Sequence, residues 1–279
     1  MLKQMPPSKE MDEYKELTLQ QIFEKSKASD LKGKLDCLCS AMTASPIDGC
    51  ITGSYWLPGF DPETWGAKPD LDVFVYGENE LIRAVCYAQY KLGMNPGKGS
   101  ERSCKQEEWK LSRLFKTGLN RKIGITTYSF SYDDVTLNIT HKMKRVENRW
   151  VPLTTAADVL QSFDMSILMQ GYDIQKHVFY DMRIGDPRVA QPNPLRDHDC
   201  IMWTVAKWVR QFDRVVKYYN RGFDTRPMAE FYLKMIDDCI DAGCLFDSTE
   251  SHQAFESFSE EFLAKRAVIA DWYEEHKED

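Results

Sequence analysis

The sequence predicts an α+β fold, in which strands and helices share residues 1–185 and an all-helical part occupies residues 186–279. Two patterns favour this division. Up to about residue 185, short runs rich in β-branched and aromatic residues alternate with amphipathic segments and with turns rich in Gly and Pro. From about residue 197, apolar residues recur at steps of three and four, which is typical of helices that pack on one face.

The first elements follow from this pattern in chain order. Apolar residues at helical spacing predict a helix over 31–42. A short strand over 50–52 leads into a Gly-Ser pair, and the stretch 55–69, rich in Gly and Pro, is predicted to be a loop. The run DLDVFVY at 70–76 is a strand by composition.

The later elements follow from the same periodicities. The remaining predicted elements of the first part are helices over 80–92, 107–119 and 154–161, a hairpin of strands over 122–132 and 135–140, and a strand over 163–169. The proline-containing stretch 173–196 is predicted to be irregular. Three apolar seams then predict helices that include residues 201–219, 228–240 and 255–273.

The bulk composition limits the classes of function. The net charge of −7 and the pI near 5.4 give no global basic surface for nucleic acid. No apolar run approaches the roughly 18 residues of a membrane helix, and residues 1–24 lack the apolar core of a signal peptide. The eight cysteines form no C-x-x-C pair, which disfavours structural zinc and favours buried thiols in a reducing compartment. We therefore expect a cytoplasmic protein without a membrane segment.

Asp70 and Asp72 are the first candidate site residues. Two aspartates at positions i and i+2 of a strand point to the same face of a sheet. Carboxylate oxygens are the ligands that hard cations such as Mg²⁺ prefer. The strand therefore predicts a pair of carboxylates that hold the same metal ions, while Leu71, Val73 and Val75 turn toward the core.

Gly53 and Ser54 are the second candidate feature. Small residues directly after a strand allow backbone N–H groups to approach a phosphate, and a hydroxyl adds a hydrogen bond. With a helix, a strand, Gly53-Ser54, a loop and then D-x-D in that order, the chain resembles the nucleotidyltransferase superfamily with a polymerase-β-type palm. The resemblance covers roughly residues 30–170, and the loop before Asp70 is longer than is usual in the family.

The resemblance carries further expectations. It implies a palm with a mixed or antiparallel sheet and flanking helices, followed by a helical domain that closes the cleft. It implies an NTP as substrate, held by Gly53 and Ser54, and two Mg²⁺ ions held by Asp70 and Asp72. The acceptor is expected to be an RNA end, a protein or a small molecule.

The third carboxylate of the family has no clear counterpart in this chain. The candidate strand offers Thr136, Asn138 and Thr140 on the relevant face, so an amide, Asn138, takes the expected position. Asp134 and Asp164 are the alternative third acids. The sequence leaves three possibilities open: a two-carboxylate enzyme, an enzyme rescued by Asp134 or Asp164, and an inactive fold that serves as a binding or scaffolding module.

Two rows of basic residues are candidates for contact with the nucleotide. Lys110 and Arg113 belong to a row on the predicted helix over 107–119, and Arg214 and Lys217 belong to a longer row on the first helix of the helical part. Basic residues at helical spacing can bind triphosphate or nucleic acid, but a solvated helix face has the same pattern. Both interpretations stay open at this point.

Overall fold

The computed structural model describes residues 2–4, 14–65, 69–97, 125–147, 149–196, 205–241 and 252–278. Within these ranges the chain is α+β, as the sequence predicts, with a mixed sheet and seven α-helices. It divides into two compact units: Met1–Ser162 with Leu168–Met182, and Phe163–Ile167 with Arg183–Asp279. The sequence placed the domain boundary at residue 185 and did not separate the short segment Phe163–Ile167. None of the described helices is long and apolar enough to cross a membrane.

The first unit contains the strands and four helices of the described chain. The strands are β1 (Leu2–Gln4), β2 (Gly49–Thr52), β3 (Asp70–Val75), β4 (Asn95–Pro96), β5 (Ile125–Tyr132), β6 (Val135–Val146), β7 (Arg149–Pro152), β8 (Gln170–Asp173) and β9 (Val178–Asp181). The helices are α1 (Leu19–Ser26), α2 (Leu31–Thr43), α3 (Glu78–Cys86) and α4 (Ala156–Gln161).

The strands form one sheet in the order β1-β9-β8-β2-β3-β6-β5-β4, and β7 pairs with the distal part of β6. The β3–β6 pair is parallel, and the other pairs are antiparallel. β3 therefore lies between β2, which leads into Gly53, and β6, which carries Asn138. This arrangement brings three separate sequence segments together in space.

The two faces of the central strands differ in polarity. Along β3, half-buried and buried residues alternate strictly, with Leu71, Val73 and Val75 buried. These side chains join a core made with apolar residues of α1, α2 and α3, among them Ile22, Leu38, Met42, Leu81 and Val85. The opposite face presents Asp70 and Asp72. Side chains alternate between the two faces of a strand. A shift of one residue in the strand pairing would therefore turn Asp70 and Asp72 toward the core.

Several predictions of individual elements need correction. The sequence prediction missed α1, although Thr18 and Gln21 form a capping box at its start. The strand predicted over 163–169 is wrong, because a 3-10 turn (Ser166–Leu168) precedes the strand β8 there. The stretch predicted to be irregular contains β9. The helix predicted over 107–119, with Lys110 and Arg113, lies outside the described residues.

The described part of the second unit has three helices, α5 (Val205–Tyr219), α6 (Arg226–Asp241) and α7 (His252–His276). They confirm the three helices expected from the apolar seams. Phe212, Val215, Tyr232, Ile236 and Ile269 from these helices are buried. The segment Phe163–Ile167 belongs to this unit and contributes the buried Asp164.

Candidate functional site

Asp70 and Asp72 lie on one face of β3, as the spacing predicts. Both residues are half-buried, whereas Leu71 between them is fully buried. The strand therefore holds two carboxylates side by side at the edge of the core. Their positions follow from alternation along a strand whose other face must be apolar.

Gly53 brings the end of β2 directly against Asp72. In the antiparallel β2–β3 pair, Thr52 lies opposite Asp72. Gly53, the residue that follows β2, therefore passes beside the carboxylate. Gly53 has φ +88°, and a Cβ added to it would lie 2.4 Å from Oδ2 of Asp72. Only glycine accommodates both the backbone conformation and the close approach. The structure thus brings Gly53 directly beside Asp72.

Ser54 begins a short 3-10 turn (Ser54–Trp56) immediately after Gly53. The Leu57 N–H donates to the Ser54 carbonyl oxygen at 3.1 Å and closes this turn. The Trp56 indole Nε1–H donates to the Ile51 carbonyl oxygen at 3.0 Å, which ties the turn back to β2. Trp56 therefore anchors the loop.

Asn138 joins the two carboxylates. The parallel β3–β6 register places Asn138 opposite Asp72. Its Nδ2 donates one hydrogen bond to Oδ2 of Asp70 and one to Oδ1 of Asp72, both at 3.0 Å. The sequence predicted an amide at this position, and the structure places its nitrogen, the donor end, against the acids.

Ser129 completes this row and was not singled out from the sequence. Its Oγ–H donates to Oδ1 of Asn138 at 2.7 Å, and the two residues are directly opposite in the β5–β6 hairpin. The signal was available, because a hairpin with Asp133 and Asp134 at its turn pairs residue 129 with residue 138. Asp72, Asn138 and Ser129 thus form a hydrogen-bonded row across three strands.

The carboxylates of Asp70 and Asp72 provide oxygen ligands of the kind that suits a hard divalent cation. Mg²⁺ prefers such ligands to nitrogen or sulfur. Within the described part of the chain, no cluster of three or more His, Cys, Asp or Glu side chains is arranged to hold a metal. A cation here would be held by the carboxylates of Asp70 and Asp72, because the amide oxygen of Asn138 accepts from Ser129 and its nitrogen faces the acids.

Asp134, one of the two alternative third acids, has a lysine as its partner. It lies at the turn of the β5–β6 hairpin, where its carboxylate is 3.5 Å from Nζ of Lys34 on α2. Asp133 contacts the same lysine at 2.5 Å, and this hydrogen bond raises the pKa of Lys34. The Asp134 carboxylate thus lies in an ion-pair cluster at the hairpin turn, and its role as a substitute for the missing acid stays a prediction.

Asp164 has a different partner from the one expected for a third metal ligand. Its Oδ2 accepts hydrogen bonds from Nη1 of Arg214 at 2.5 Å and from the Tyr232 hydroxyl at 3.0 Å. Burial alone raises the pKa of Asp164, but the positive charges of Arg214 and Arg196 outweigh it and lower the pKa to about 2. Asp164 is thus the buried anion of an ion pair in the second unit, and its assignment as a catalytic acid is corrected.

The same ion pair gives Arg214, a candidate for contact with the nucleotide, a partner within its own unit. Its guanidinium donates to Asp164 and, at 2.9 Å, to Oε1 of Gln211. A cation held in this way neutralises a buried carboxylate of its own unit. Lys217, one turn further along α5, is exposed, and its Nζ lies 5.8 Å from the centroid of the Tyr218 ring.

Comparison with known proteins adds no relative. No family model, no curated protein and no solved structure matches this chain.

Proposed function

We propose that this protein is a magnesium-dependent nucleotidyltransferase that moves an NMP from an NTP to an acceptor hydroxyl or phosphate. The observation that carries the proposal is the contact between Gly53 and Asp72. In this proposal the contact joins a turn that binds phosphate with a carboxylate pair that binds metal. These are the two components that nucleotidyl transfer needs within a few ångströms of each other.

In this proposal four residues of the first unit have defined tasks: Asp70, Asp72, Gly53 and Ser54. Asp70 and Asp72 hold Mg²⁺, which when bound neutralises the charge that develops on the triphosphate. The backbone after Gly53 and the Ser54 hydroxyl donate hydrogen bonds to phosphate oxygens. The acceptor oxygen forms a bond to the α-phosphorus, pyrophosphate leaves, and the proton of an acceptor hydroxyl passes to solvent. Alignment and charge neutralisation supply the catalysis.

The acceptor remains one of three classes: an RNA end, a protein side chain or a small molecule. The net charge of −7 disfavours an extended nucleic-acid surface, and a short strand end requires only a local basic contact.

One observation favours a second candidate function, a nucleotide-binding module without catalysis. Asn138 is neutral, and its Nδ2 rather than an anionic oxygen faces the two aspartates. A neutral ligand brings less electrostatic stabilisation to a metal than a third carboxylate does. Such a module would bind the nucleotide and transfer nothing.

Transfer is tested by incubation with each α-labelled NTP and Mg²⁺ in the presence of RNA and protein fractions. Nucleotide binding is measured separately. We expect Mg²⁺-dependent binding and transfer by the wild type and loss of both in Asp70→Asn with Asp72→Asn. The matched control, Asp213→Asn with Asp271→Asn, removes the same charge from exposed positions of the helical unit. Binding that persists in the Asp70/Asp72 variant would refute the site, and binding without transfer would establish the module.

A further inference from the structure

We infer that Asn138 and Ser129 are positioning residues of the metal site. The amide of Asn138 holds the carboxylates of Asp70 and Asp72 in the orientation in which they bind a divalent cation, and the Ser129 hydroxyl fixes the direction of that amide. This inference rests on the proposed function and adds two residues to its site.

The Asn138 amide contacts both carboxylates through one nitrogen. Asp70 and Asp72 lie two residues apart on one face of β3, so their negative charges repel each other. Nδ2 of Asn138 donates one hydrogen bond to Oδ2 of Asp70 and one to Oδ1 of Asp72, both at 3.0 Å. Hydrogen bonds to charged acceptors are stronger than neutral ones. The amide therefore orients the two carboxylates before a cation arrives.

These hydrogen bonds use one oxygen of each carboxylate. Oδ1 of Asp70 and Oδ2 of Asp72 are the second oxygens, and a cation that binds them leaves the amide in place. Oδ2 of Asp72 is also the atom beside the Gly53 backbone, 2.4 Å from the position of a Cβ added to Gly53. Because the amide holds Oδ1 of Asp72, it keeps Oδ2 next to the turn to which the proposal assigns the phosphate.

The Ser129 hydroxyl determines the direction of the amide. It donates to Oδ1 of Asn138 at 2.7 Å from the opposite position of the β5–β6 pair. The reversed amide would place Oδ1, which only accepts hydrogen bonds, against two carboxylates that also only accept them. All three hydrogen bonds are partly buried, so water competes with them less than it does at the surface. Ser129 therefore acts on the carboxylates through Asn138.

The experiment is a titration of the full chain with Mn²⁺, followed by electron paramagnetic resonance. Asn138→Ala removes both hydrogen bonds to the carboxylates. It is expected to bind Mn²⁺ roughly tenfold more weakly than the wild type, because the loss of groups that hydrogen-bond to metal ligands typically has an effect of this size. Ser129→Ala removes one hydroxyl and is expected to weaken binding about threefold. Ser129→Thr keeps the hydroxyl and is expected to bind like the wild type.

Two further variants separate positioning from a general effect on the fold. Ser131→Ala makes the same change on the same face of β5, opposite Thr136 rather than Asn138, and is expected to bind Mn²⁺ like the wild type. In the double variant Ser129→Ala with Asn138→Ala, the serine change should add no further loss, because Ser129 has no amide left to orient. Thermal melting followed by circular dichroism checks that each variant folds. If Asn138→Ala does not fold, the comparison of Ser129→Ala with Ser129→Thr carries the test.

The outcomes separate this inference from the proposed function. If Asn138→Ala binds Mn²⁺ as tightly as the wild type or more tightly, or if Ser129→Ala and Ser129→Thr bind it alike, the inference is overturned and the metal site stands. Equal losses from Ser129→Ala with and without the Asn138 amide would show that Ser129 does not act through it. If the wild type binds Mn²⁺ no better than Asp70→Asn with Asp72→Asn does, the metal site is refuted, and the proposed function is lost together with this inference.

Discussion

Gly53 occupies its position for two separable reasons. Its φ of +88° disfavours any residue with a Cβ, and a Cβ would in addition lie 2.4 Å from the Asp72 carboxylate. Gly59, in the following loop, has φ +72° and open space around its missing Cβ. Substitutions at Gly53 and Gly59 can therefore separate the cost of backbone strain from the cost of contact with Asp72.

We expect Gly53→Ala to lower the free energy of unfolding by roughly 2–3 kcal/mol and to weaken nucleotide binding, because both strain and displacement of Asp72 follow. Gly59→Ala should cost only about 1 kcal/mol, the strain of a positive φ. Urea denaturation of both variants measures the difference. Equal losses of stability would mean that the contact with Asp72 contributes nothing.

His141 gives a pH-dependent prediction. It is 2% exposed on β6, and burial lowers its pKa below the usual value of 6.5, although the negative charge of Glu78 opposes this shift. Below about pH 6.5 the unfolded chain binds a proton that the folded chain does not yet bind. Protonation therefore favours the unfolded state, and stability falls as the pH drops from 6.5 toward the lower pKa of the folded protein.

We expect this loss of stability between pH 7 and pH 5 to be smaller in His141→Gln, which has no proton to take up in this range. Urea denaturation at several pH values measures the slope for both proteins. Indistinguishable slopes would show that the folded and unfolded states titrate His141 alike.

At the scale of the elements, the Asp164–Arg214 ion pair ties the segment Phe163–Ile167 to α5, and the Tyr232 hydroxyl adds a contact from α6. The carboxylate is 3% exposed, so its charge depends on these partners. Removal of one partner from a buried ion pair leaves an uncompensated charge, which is strongly destabilising.

We expect Arg214→Met to lower the free energy of unfolding by about 3–5 kcal/mol. Lys234→Met, at an exposed position on α6, should change it by less than about 0.5 kcal/mol. Denaturation followed by circular dichroism measures both. If Arg214 instead served as a contact to the nucleotide, its replacement would weaken nucleotide binding and leave stability unchanged.

At the scale of the whole molecule, the two compact units do not follow one another simply along the chain. Residues 163–167 belong to the second unit, although residues 168–182, which follow them, belong to the first. A cut after residue 182 therefore separates α5 and α6 from Asp164. Arg214 and Tyr232 then lose the charged one of their two acceptors and keep only Oε1 of Gln211.

We expect the fragment 183–279 to be less stable in urea than the same helices in the intact chain, because it lacks this buried anion. Circular dichroism of the fragment measures its helix content and its transition. A peptide that contains residues 163–167 should raise the midpoint. A fragment as stable as the helices of the intact chain would show that the segment is dispensable.

The sequence by itself determined what local periodicity controls. The alternation in β3 predicted that Asp70 and Asp72 share a face, the turn at Asp133 and Asp134 predicted the β5–β6 hairpin, and the apolar seams predicted the helices α5, α6 and α7. These features follow from spacing along one or two adjacent segments. The capping box of α1 was also present in the sequence but was not used.

Only the tertiary structure decided the contacts between distant segments. The parallel pairing of β3 with β6 placed Nδ2 of Asn138 between the two aspartates. Ser129 on β5 completes the row by donating to Oδ1 of Asn138. The partner of Asp164 lies 50 residues further along the chain, and local spacing does not specify which cation a buried carboxylate meets. The sequence therefore predicted the carboxylate pair and its turn. Long-range pairing decided that a hydrogen-bonded amide, rather than a third acid, completes the site.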